Sequence, residues 1–501
     1  MTGSVSDPGG SPLQGAIVTA THSGTRIETS VFSRPDGSFE LPLKANLVTQ
    51  LRVRIHGFET VVLPRLSIST PAAILMQPAA DSLDVPSSEW LSLLPEGDMK
   101  REFTLNCTSC HEIGYPRIML DGHARSEKQW QATFAAMKAM DQYAIIPDDF
   151  DANRYSAWLA ESLSDERVEQ VPAPPAIDPE AVAQLVITEY PLPVEDASPH
   201  DLVVGPKGRI WITGFFSDQI WALDPGSGDI EVFDVDTNPD ESDQPRSLKF
   251  DQHGKLWIVN GGAEKVLRLD VTTRQYQSFD VGMYAHSLDL AANGDAWLND
   301  YFSKPERIAR VSAMNGEVTV LPVPSANLSA VAGLPLPYGL QIDRQDRLWS
   351  TQLAANTLVG YNIASGQASL YQMPMDNSGP RRLGIGPDGA LWIPEFNTGY
   401  LSHFDGDTGE FERIRMGPST LGLYDAAVDQ RSGAVWVTAS LASRLIRYQP
   451  ATGEVTGFAL PTQPAYMRHL AIDPSTGDVW SSYSSLPAAK PKLVRLQFRS
   501  D

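Results

Sequence analysis

The sequence lacks long hydrophobic runs and is short of positive charge. Nowhere do about 18 consecutive apolar residues occur, so we expect no membrane-spanning segment. Only 39 Lys and Arg stand against 61 Asp and Glu, which gives a net charge of −22. An acidic chain is repelled by phosphate backbones and anionic lipids, so we expect no nucleic-acid partner and no anionic membrane surface as partner. A length of 501 residues predicts several domains.

Cysteine is almost absent, and both cysteines belong to one motif. Cys107 and Cys110 enclose two residues, and His111 follows directly. This spacing is typical of c-type haem attachment, in which two thioether bonds hold the porphyrin and the histidine reaches the iron. A zinc site needs about four ligands, and no second Cys/His cluster occurs nearby. The sequence therefore predicts a covalent haem c, with His111 as an iron ligand.

The start of the chain shows no basic stretch followed by an apolar one, the pattern of a secretory signal. Covalent haem of this type is attached outside the cytoplasm. We therefore expect a periplasmic or otherwise exported protein whose export signal is not part of this chain.

Residues 1–78 alternate polar and apolar side chains between turn residues, as in Leu51 to Ile55. This pattern predicts a small antiparallel β-sandwich. The pieces PLQGA at 12–16, DGSF at 36–39 and GFE at 57–59 resemble the carboxypeptidase regulatory-like (transthyretin-like) domain. The resemblance implies an accessory, non-catalytic module.

Residues 94–165 read as helical and contain the Cys-His motif. Ser126 opens a capping box, and Trp130, Phe134 and Met137 share one face of the helix that follows. A motif-bearing helix, a loop and two further helices resemble a very small class I cytochrome c domain. Residues 166–184, rich in proline and acid, are expected to form a semi-stiff spacer.

The cytochrome resemblance assigns the second axial iron position to Met137, on the helix that follows a tryptophan. Met140, His123 and Met119 are the alternatives, and Met137 is otherwise an ordinary core residue. The choice matters because a histidine in this position would lower the reduction potential.

One pattern recurs through residues 185–501: an apolar strand, a polar turn, then a hydrophobic residue and Trp. Successive tryptophans lie between 40 residues (Trp257 to Trp297) and 52 residues (Trp297 to Trp349) apart. This is the length of one four-stranded propeller blade. The seven tryptophans are Trp211, Trp257, Trp297, Trp349, Trp392, Trp436 and Trp480. We predict a seven-bladed β-propeller with these side chains in its core, and so a mainly β, multidomain protein.

The last repeat stops one strand short, after residues 492–498. The first strand, residues 186–193, has the sequence of the missing outer strand. Pairing the two would close the ring and remove its exposed sheet edges.

Aligning the repeats on their tryptophans predicts which side chains meet at the mouth of the axial channel. Three arginines in this set favour an anionic ligand such as a carboxylate or a phenolate, and a hydrated channel without a ligand is the alternative. The residues that open the inner strands are His200, Arg246, His286, Tyr338, Arg381, Tyr424 and Arg468. Asp300 and Glu395, three residues after their tryptophans, complete the predicted mouth.

The repeat Gly-Pro-x-Gly-x-Ile/Leu-Trp, with Pro-His-x-Leu at 199–202, resembles the virginiamycin B lyase (streptogramin lyase) family over all seven repeats. The resemblance implies a Mg²⁺ ion and a histidine that removes a proton while a C–O bond breaks by elimination. His200 and His286 match the histidine positions of that family and are the catalytic candidates. Ser198 stands where the family has an acidic residue.

The leading hypothesis is an exported electron-transfer protein in which the propeller binds an anionic small molecule or a redox partner protein. The haem motif favours it, because elimination needs no redox cofactor. One alternative is a Mg²⁺-dependent C–O lyase with a fused cytochrome. A second alternative is a non-catalytic binding scaffold.

Overall fold

The computed structural model describes residues 1–43, 48–64, 71–79, 85–108, 111–141, 146, 148–194, 197–235, 242–323, 334–484 and 491–499. Cys110 lies outside these residues. Within them, no helix is both long and apolar enough to cross a membrane.

The N-terminal segment is a β-sandwich, as predicted, but it is not purely antiparallel, because β1 pairs parallel with β7. One sheet has the strand order β4-β1-β7, and the other contains β3-β2-β5-β6. Val18, Leu51, Phe39 and Ile74 fill the space between them and are almost fully buried. The strands are β1 (Thr2–Ser6), β2 (Ile17–His22), β3 (Glu28–Phe32), β4 (Ser38–Glu40), β5 (Val48–Arg54), β6 (Val61–Pro64) and β7 (Ala72–Leu75).

Residues 85–168, termed the helical segment, follow the sandwich. The predicted capping box is present, since Ser126 and Gln129 bond reciprocally at the start of α4. One helix, α1, precedes residue 94, and its Trp90 is buried in an apolar cluster that contains Phe103 of α2 and propeller residues such as Tyr424. Its elements are α1 (Ser87–Ser92), α2 (Asp98–Cys107), α3 (Tyr115–Ile118), β8 (Met119–Leu120), β9 (His123–Ala124), α4 (Glu127–Met140), α5 (Ala152–Ser162) and α6 (Asp165–Val168).

The predicted spacer is packed against the rest of the protein rather than extended as a separate rod. It contains the short helix α7 (Pro179–Val182), whose first amides bond to the Asp178 carboxylate. Val182 is buried in a cluster with residues of the last two blades. Arg444 donates to the Pro175 carbonyl over 2.6 Å. Apolar side chains among the prolines account for the difference from the prediction.

The rest of the chain forms a ring of seven four-stranded antiparallel sheets within the described residues. Blades 1 to 6 are β11–β14, β15–β18, β19–β22, β23–β26, β27–β30 and β31–β34, and blade 7 is β35–β37 with β10. The strands are β10 (Leu185–Pro191), β11 (Pro199–Val204), β12 (Ile210–Gly214), β13 (Gln219–Leu223), β14 (Ile230–Asp234), β15 (Pro245–Phe250), β16 (Lys255–Asn260), β17 (Lys265–Asp270), β18 (Gln275–Asp280), β19 (Ala285–Leu290), β20 (Ala296–Asp300), β21 (Arg307–Val311), β22 (Val318–Pro322), β23 (Pro337–Ile342), β24 (Arg347–Gln352), β25 (Thr357–Asn362), β26 (Gln367–Gln372), β27 (Gly384–Ile385), β28 (Leu391–Pro394), β29 (Tyr400–Asp405), β30 (Glu410–Arg415), β31 (Leu423–Val428), β32 (Val435–Ala439), β33 (Arg444–Gln449), β34 (Glu454–Ala459), β35 (Leu470–Ile472), β36 (Val479–Tyr483) and β37 (Lys492–Phe498).

The repeated tryptophans are buried between blades, as predicted, with at most 6% exposure. In blades 2 and 4 a carboxylate in the preceding turn bonds to the tryptophan. Asp343 accepts the backbone N–H of Arg347 and the indole N–H of Trp349, each over 2.9 Å. The same carboxylate pairs with the Arg347 guanidinium. One acidic side chain therefore joins the turn to the tryptophan and to an arginine.

Ring closure is confirmed, and the closing strand makes a second pairing that the sequence does not reveal. β10 pairs antiparallel with β37 from Leu185 opposite Phe498 to Pro191 opposite Lys492. The other edge of β10 pairs with β3 of the sandwich. Blade 7 and the sandwich sheet therefore form one eight-stranded sheet, in the order β35-β36-β37-β10-β3-β2-β5-β6.

Candidate functional site

A β-bulge opens the inner strand of at least five blades. In blade 1, Pro199 pairs with Gly214 while Leu202 pairs with Ile212, so one extra residue is inserted. Blades 2, 3, 4 and 6 repeat this shift. A bulge re-aims side chains at the end of a strand. It allows two successive residues of a blade, rather than one, to reach the region of the axis.

The first of these positions, termed the first ring, brings the predicted mouth residues together. The His286 ring centroid lies 4.0 Å from that of Tyr338 and 5.9 Å from that of His200. The Tyr338 and Tyr424 hydroxyls are hydrogen-bonded, and Arg468 donates to the Tyr424 hydroxyl over 3.1 Å.

The three arginines of the first ring lie on aromatic faces. Arg246 lies 4.8 Å from the Phe215 ring centroid, Arg381 lies 4.1 Å from that of Phe396, and Arg468 lies 4.9 Å from that of Tyr466. Such cation–π contacts hold the guanidinium groups in place. The ring is therefore a rigid, positively charged aromatic surface.

The arginines also act on the tyrosine pair. Burial disfavours the phenolate of Tyr424, but the charges of Arg468, Arg381 and Arg382 outweigh it and lower the pKa of this phenol. Burial and the neighbouring Tyr424 raise the pKa of Tyr338. The arginines therefore make Tyr424 the more acidic phenol of the pair.

Asp300 and Glu395 do not join this surface, in contrast to the prediction. Asp300 accepts from Arg307 Nε over 3.0 Å. Glu395 accepts from Arg413 over 2.8 and 2.7 Å and from Ser402 over 2.7 Å. Each carboxylate is thus neutralised by an arginine further out in its own blade.

In each blade, the residue that follows the first-ring residue belongs to a second ring. The alignment of the seven repeats did not predict this ring. Arg382 of blade 5 binds Asp201 of blade 1 through both terminal nitrogens, over 3.0 and 2.5 Å. Both side chains are buried. Two blades separate this pair on one side and three on the other, so the ion pair spans the channel. The alignment of the repeats assigns one axial residue to each blade, and in blade 5 that residue is Arg381 rather than Arg382.

Beyond this ion pair, a cavity of ≈ 350 Å³ opens at the opposite end of the channel. Asp425 and His469 contribute to its lining. Burial raises the pKa of Asp425 to about 7, while burial lowers the pKa of His469 to about 4. The Arg382–Asp201 pair separates this cavity from the first ring.

The two catalytic candidates are neighbours and are neutral at physiological pH. Burial lowers the pKa of His200 to about 3, and it lowers that of His286 well below its ordinary value. His200 Nδ1 lies 2.7 Å from Asp201 and His286 Nδ1 lies 2.9 Å from the Tyr338 carbonyl, so both nitrogens carry the proton. The His286 Nε2 atom remains a buried acceptor without a hydrogen-bond partner within the described chain.

These residues do not fit the Mg²⁺ site implied by the lyase resemblance. Mg²⁺ prefers carboxylate oxygens, and the adjacent carboxylate, Asp201, is bound on both oxygens by Arg382. Within the described residues, no group of three or more His, Cys, Asp or Glu side chains could hold a metal ion.

The start of the Cys-His motif, Cys107 and Thr108, lies against the first ring. Cys107 ends α2 and belongs to one buried apolar cluster with Tyr338, Tyr424 and Tyr466. The Tyr466 hydroxyl donates to the Thr108 carbonyl over 2.9 Å. Asn397 donates to the Arg101 carbonyl over 3.1 Å. The helical segment therefore covers the mouth of the propeller with its motif side.

His111 has the form that an iron ligand requires. Its Nδ1 atom lies 2.9 Å from the Glu112 carbonyl, which makes Nδ1 the donor and leaves the Nε2 lone pair free. Burial, assisted by the charge of Arg117, lowers the pKa of His111, so the ring is neutral. This part of the motif fits haem ligation.

The four candidates for the second axial position differ in how deeply their side chains are buried. Met137 and Met119 pack against the cluster that contains Cys107. Met140 is 73% exposed. The His123 side chain is 79% exposed, and its Nδ1 lies 3.2 Å from Asp165. Met140 and His123 are therefore surface residues.

Comparisons with known proteins agree with this architecture. Residues 1–74 match the carboxypeptidase regulatory-like domain. No curated protein sequence matches the chain. A streptogramin B lyase structure is similar, with 21% identity, a TM-score of 0.55 and coverage of 63% of this chain and 98% of that chain. Virginiamycin B lyase from Staphylococcus aureus is similar at 19% identity and a TM-score of 0.55, covering 63% of this chain and 100% of that one.

The protein is thus a mainly β, multidomain chain with an N-terminal carboxypeptidase regulatory-like domain. Its propeller is structurally similar to that of virginiamycin B lyase. U3-55K reaches a TM-score of 0.51 at 11% identity, with coverage of 65% of this chain and 100% of that one. At such identities the likeness concerns the fold alone.

Proposed function

We propose that this protein is an exported c-type haem protein that transfers electrons. The proposal rests mainly on one observation: a buried Cys107 at the end of α2 is followed closely by a neutral His111 with its Nε2 lone pair free. Cys107 belongs to a large apolar cluster, which would limit the access of water to a haem bound there.

In this proposal Cys107 and Cys110 would tether the porphyrin. His111 and Met137 would hold the iron, with Met119 as the buried alternative to Met137. When bound, such a haem supplies one-electron transfer. The helical segment orients the group, and its aromatic side chains keep the site dry.

The propeller would bind this segment and, in addition, an anionic small molecule or a redox partner protein. The positive charges of Arg246, Arg381 and Arg468 lie at the mouth that the helical segment covers, and they support a small anion held within it. The net charge of −22 supports a basic redox partner on the outer surface.

The first test is haem attachment in cells that carry the cytochrome maturation machinery. We expect intact-protein mass spectrometry to show one added porphyrin, and a pyridine haemochrome spectrum typical of thioether-linked haem. Cys107→Ser should lose at least one thioether, whereas His123→Ala, a change on the surface, should load normally. A purified protein without added porphyrin mass would refute the proposal.

The second test concerns the axial ligand. Met137→Ala should erase the weak near-infrared sulfur-to-iron band of the oxidised protein, because the thioether is its source. Met140→Ala is the matched control and should keep the band, since that side chain is exposed. A band that survives Met137→Ala but not Met119→Ala would move the assignment to Met119.

The alternative function is C–O elimination in the manner of a streptogramin lyase. The adjacent neutral bases His200 and His286 favour it, since a buried imidazole with a free Nε2 can accept a proton. Elimination that is abolished by His286→Ala would support this alternative, and dependence on Mg²⁺ would point to a rearranged site. If the protein shows neither haem-based redox activity nor elimination, the third hypothesis, a non-catalytic binding scaffold, would be supported.

A further inference from the structure

The contact between the helical segment and the propeller joins the motif to a defined part of the first ring. Tyr466 donates to the Thr108 carbonyl, directly after Cys107. The Arg468 guanidinium covers the face of the same tyrosine at 4.9 Å and lies 5.8 Å from the Tyr424 ring centroid. A fixed cation therefore lies beneath the residues that frame the motif.

Only buried aromatic side chains separate Arg468 from the motif. Its guanidinium lies on the Tyr466 ring, and the hydroxyl of that ring bonds to the Thr108 carbonyl. Tyr424 and Tyr466 are both fully buried, so little water lies between the guanidinium and the motif to screen the charge. A second guanidinium, that of Arg381, lies 4.5 Å from the Tyr424 ring centroid.

We propose that the propeller forms one wall of the haem pocket and that Arg468 is a positioning residue that raises the reduction potential of the iron. This inference rests on the proposed haem function. Reduction removes one positive charge from the iron site, so a nearby cation favours the reduced form. The propeller thereby has a redox role even if it binds no small molecule.

The test compares Arg468→Met with Arg468→Lys and Arg344→Met in the full-length, haem-loaded protein. Potentiometric titration followed by the visible spectrum should give a lower midpoint for Arg468→Met. The reduced-to-oxidised ratio at fixed potential should fall by about tenfold, or about 59 mV for one electron. Arg468→Lys should retain most of the potential, because it keeps the charge.

Arg344→Met is the matched control, since this exposed arginine is bound to the Pro387 carbonyl and its loss changes the net charge equally. A midpoint for Arg468→Met equal to that of Arg344→Met overturns the inference and leaves the haem proposal standing. A wild-type protein without haem defeats the proposed function instead.

A milder variant tests the wall itself if Arg468→Met does not fold. Tyr466→Phe removes one hydroxyl and keeps the ring that packs beneath the motif. We expect several-fold faster hydrogen exchange of the amides in the last turn of α2, because the Thr108 carbonyl loses its partner across the interface. Unchanged exchange there would show that the propeller does not support the motif.

Discussion

Replacing Arg382 with methionine should destabilise the ring more than any change on its surface. Arg382 binds Asp201 through two hydrogen bonds across the channel, and Asp201 is only 1% exposed. Methionine fills similar space but leaves the carboxylate charged and buried. Removing one partner of a buried pair typically costs about 3–5 kcal/mol of unfolding free energy, and we expect a loss in this range.

Urea denaturation followed by tryptophan fluorescence measures this loss, because the repeated tryptophans report on the blades. Arg209→Met is the matched control. Arg209 pairs with Glu231 at 2.8 Å, but both side chains are partly exposed. Solvent screening limits the value of such a pair to about 1 kcal/mol or less. If Arg382→Met costs no more than Arg209→Met, the channel-spanning pair is not a stabilising element.

The pH dependence supplies an independent check on the same pair. Burial opposes the ionisation of Asp201, but Arg382 and His469 outweigh it and hold its pKa well below the ordinary value. A depressed carboxyl pKa contributes stability above the pKa of the unfolded chain, and this stability is lost as the pH falls through the folded value. Without Arg382 the carboxyl binds a proton more readily. The defect of Arg382→Met should therefore shrink in acid.

Two further predictions concern other buried carboxyl groups. Burial and the neighbouring Asp300 raise the pKa of Glu306 to about 8, so wild-type stability should fall as the pH rises from about 4.5 through 8. Glu306→Gln should flatten this fall in pH-dependent thermal melts, and an unchanged slope would contradict the raised pKa. Lys492 Nζ lies 2.6 Å from Glu28 and 3.1 Å from Glu189, so Lys492→Met should cost about 3 kcal/mol and speed proteolytic release of the sandwich. Arg34→Met, which breaks an exposed pair with Glu40, should do neither.

The features predicted well from the sequence are local or periodic. The tryptophan spacing located every blade, because each repeat places its tryptophan in the same buried position between blades. The capping box located the start of α4 from Ser126 and Gln129. The closing strand was predictable because its sequence resembles the outer strands of other blades.

The features that were missed depend on contacts between distant parts of the chain. Pairing of Ile187 with Ser30 is an edge contact between backbones and leaves no side-chain pattern. The second ring arises because a bulge shifts the pairing of the inner strand with its neighbour. The bulge leaves the spacing of the tryptophans unchanged, so the sequence repeat does not reveal it. Asp300 and Glu395 were placed at the mouth by their spacing alone. Their partners, Arg307 and Arg413, lie on other strands of the same blades.

The shared eight-stranded sheet means that the ring cannot be isolated cleanly at the apparent domain boundary. Expressing the propeller without residues 1–78 of the chain would leave one edge of β10 unpaired. It would also remove Glu28, the partner of Lys492. An unpaired edge invites association with another chain. The accessory module therefore covers the seam where the first and last strands of the propeller pair, and fragments cut at this point should self-associate.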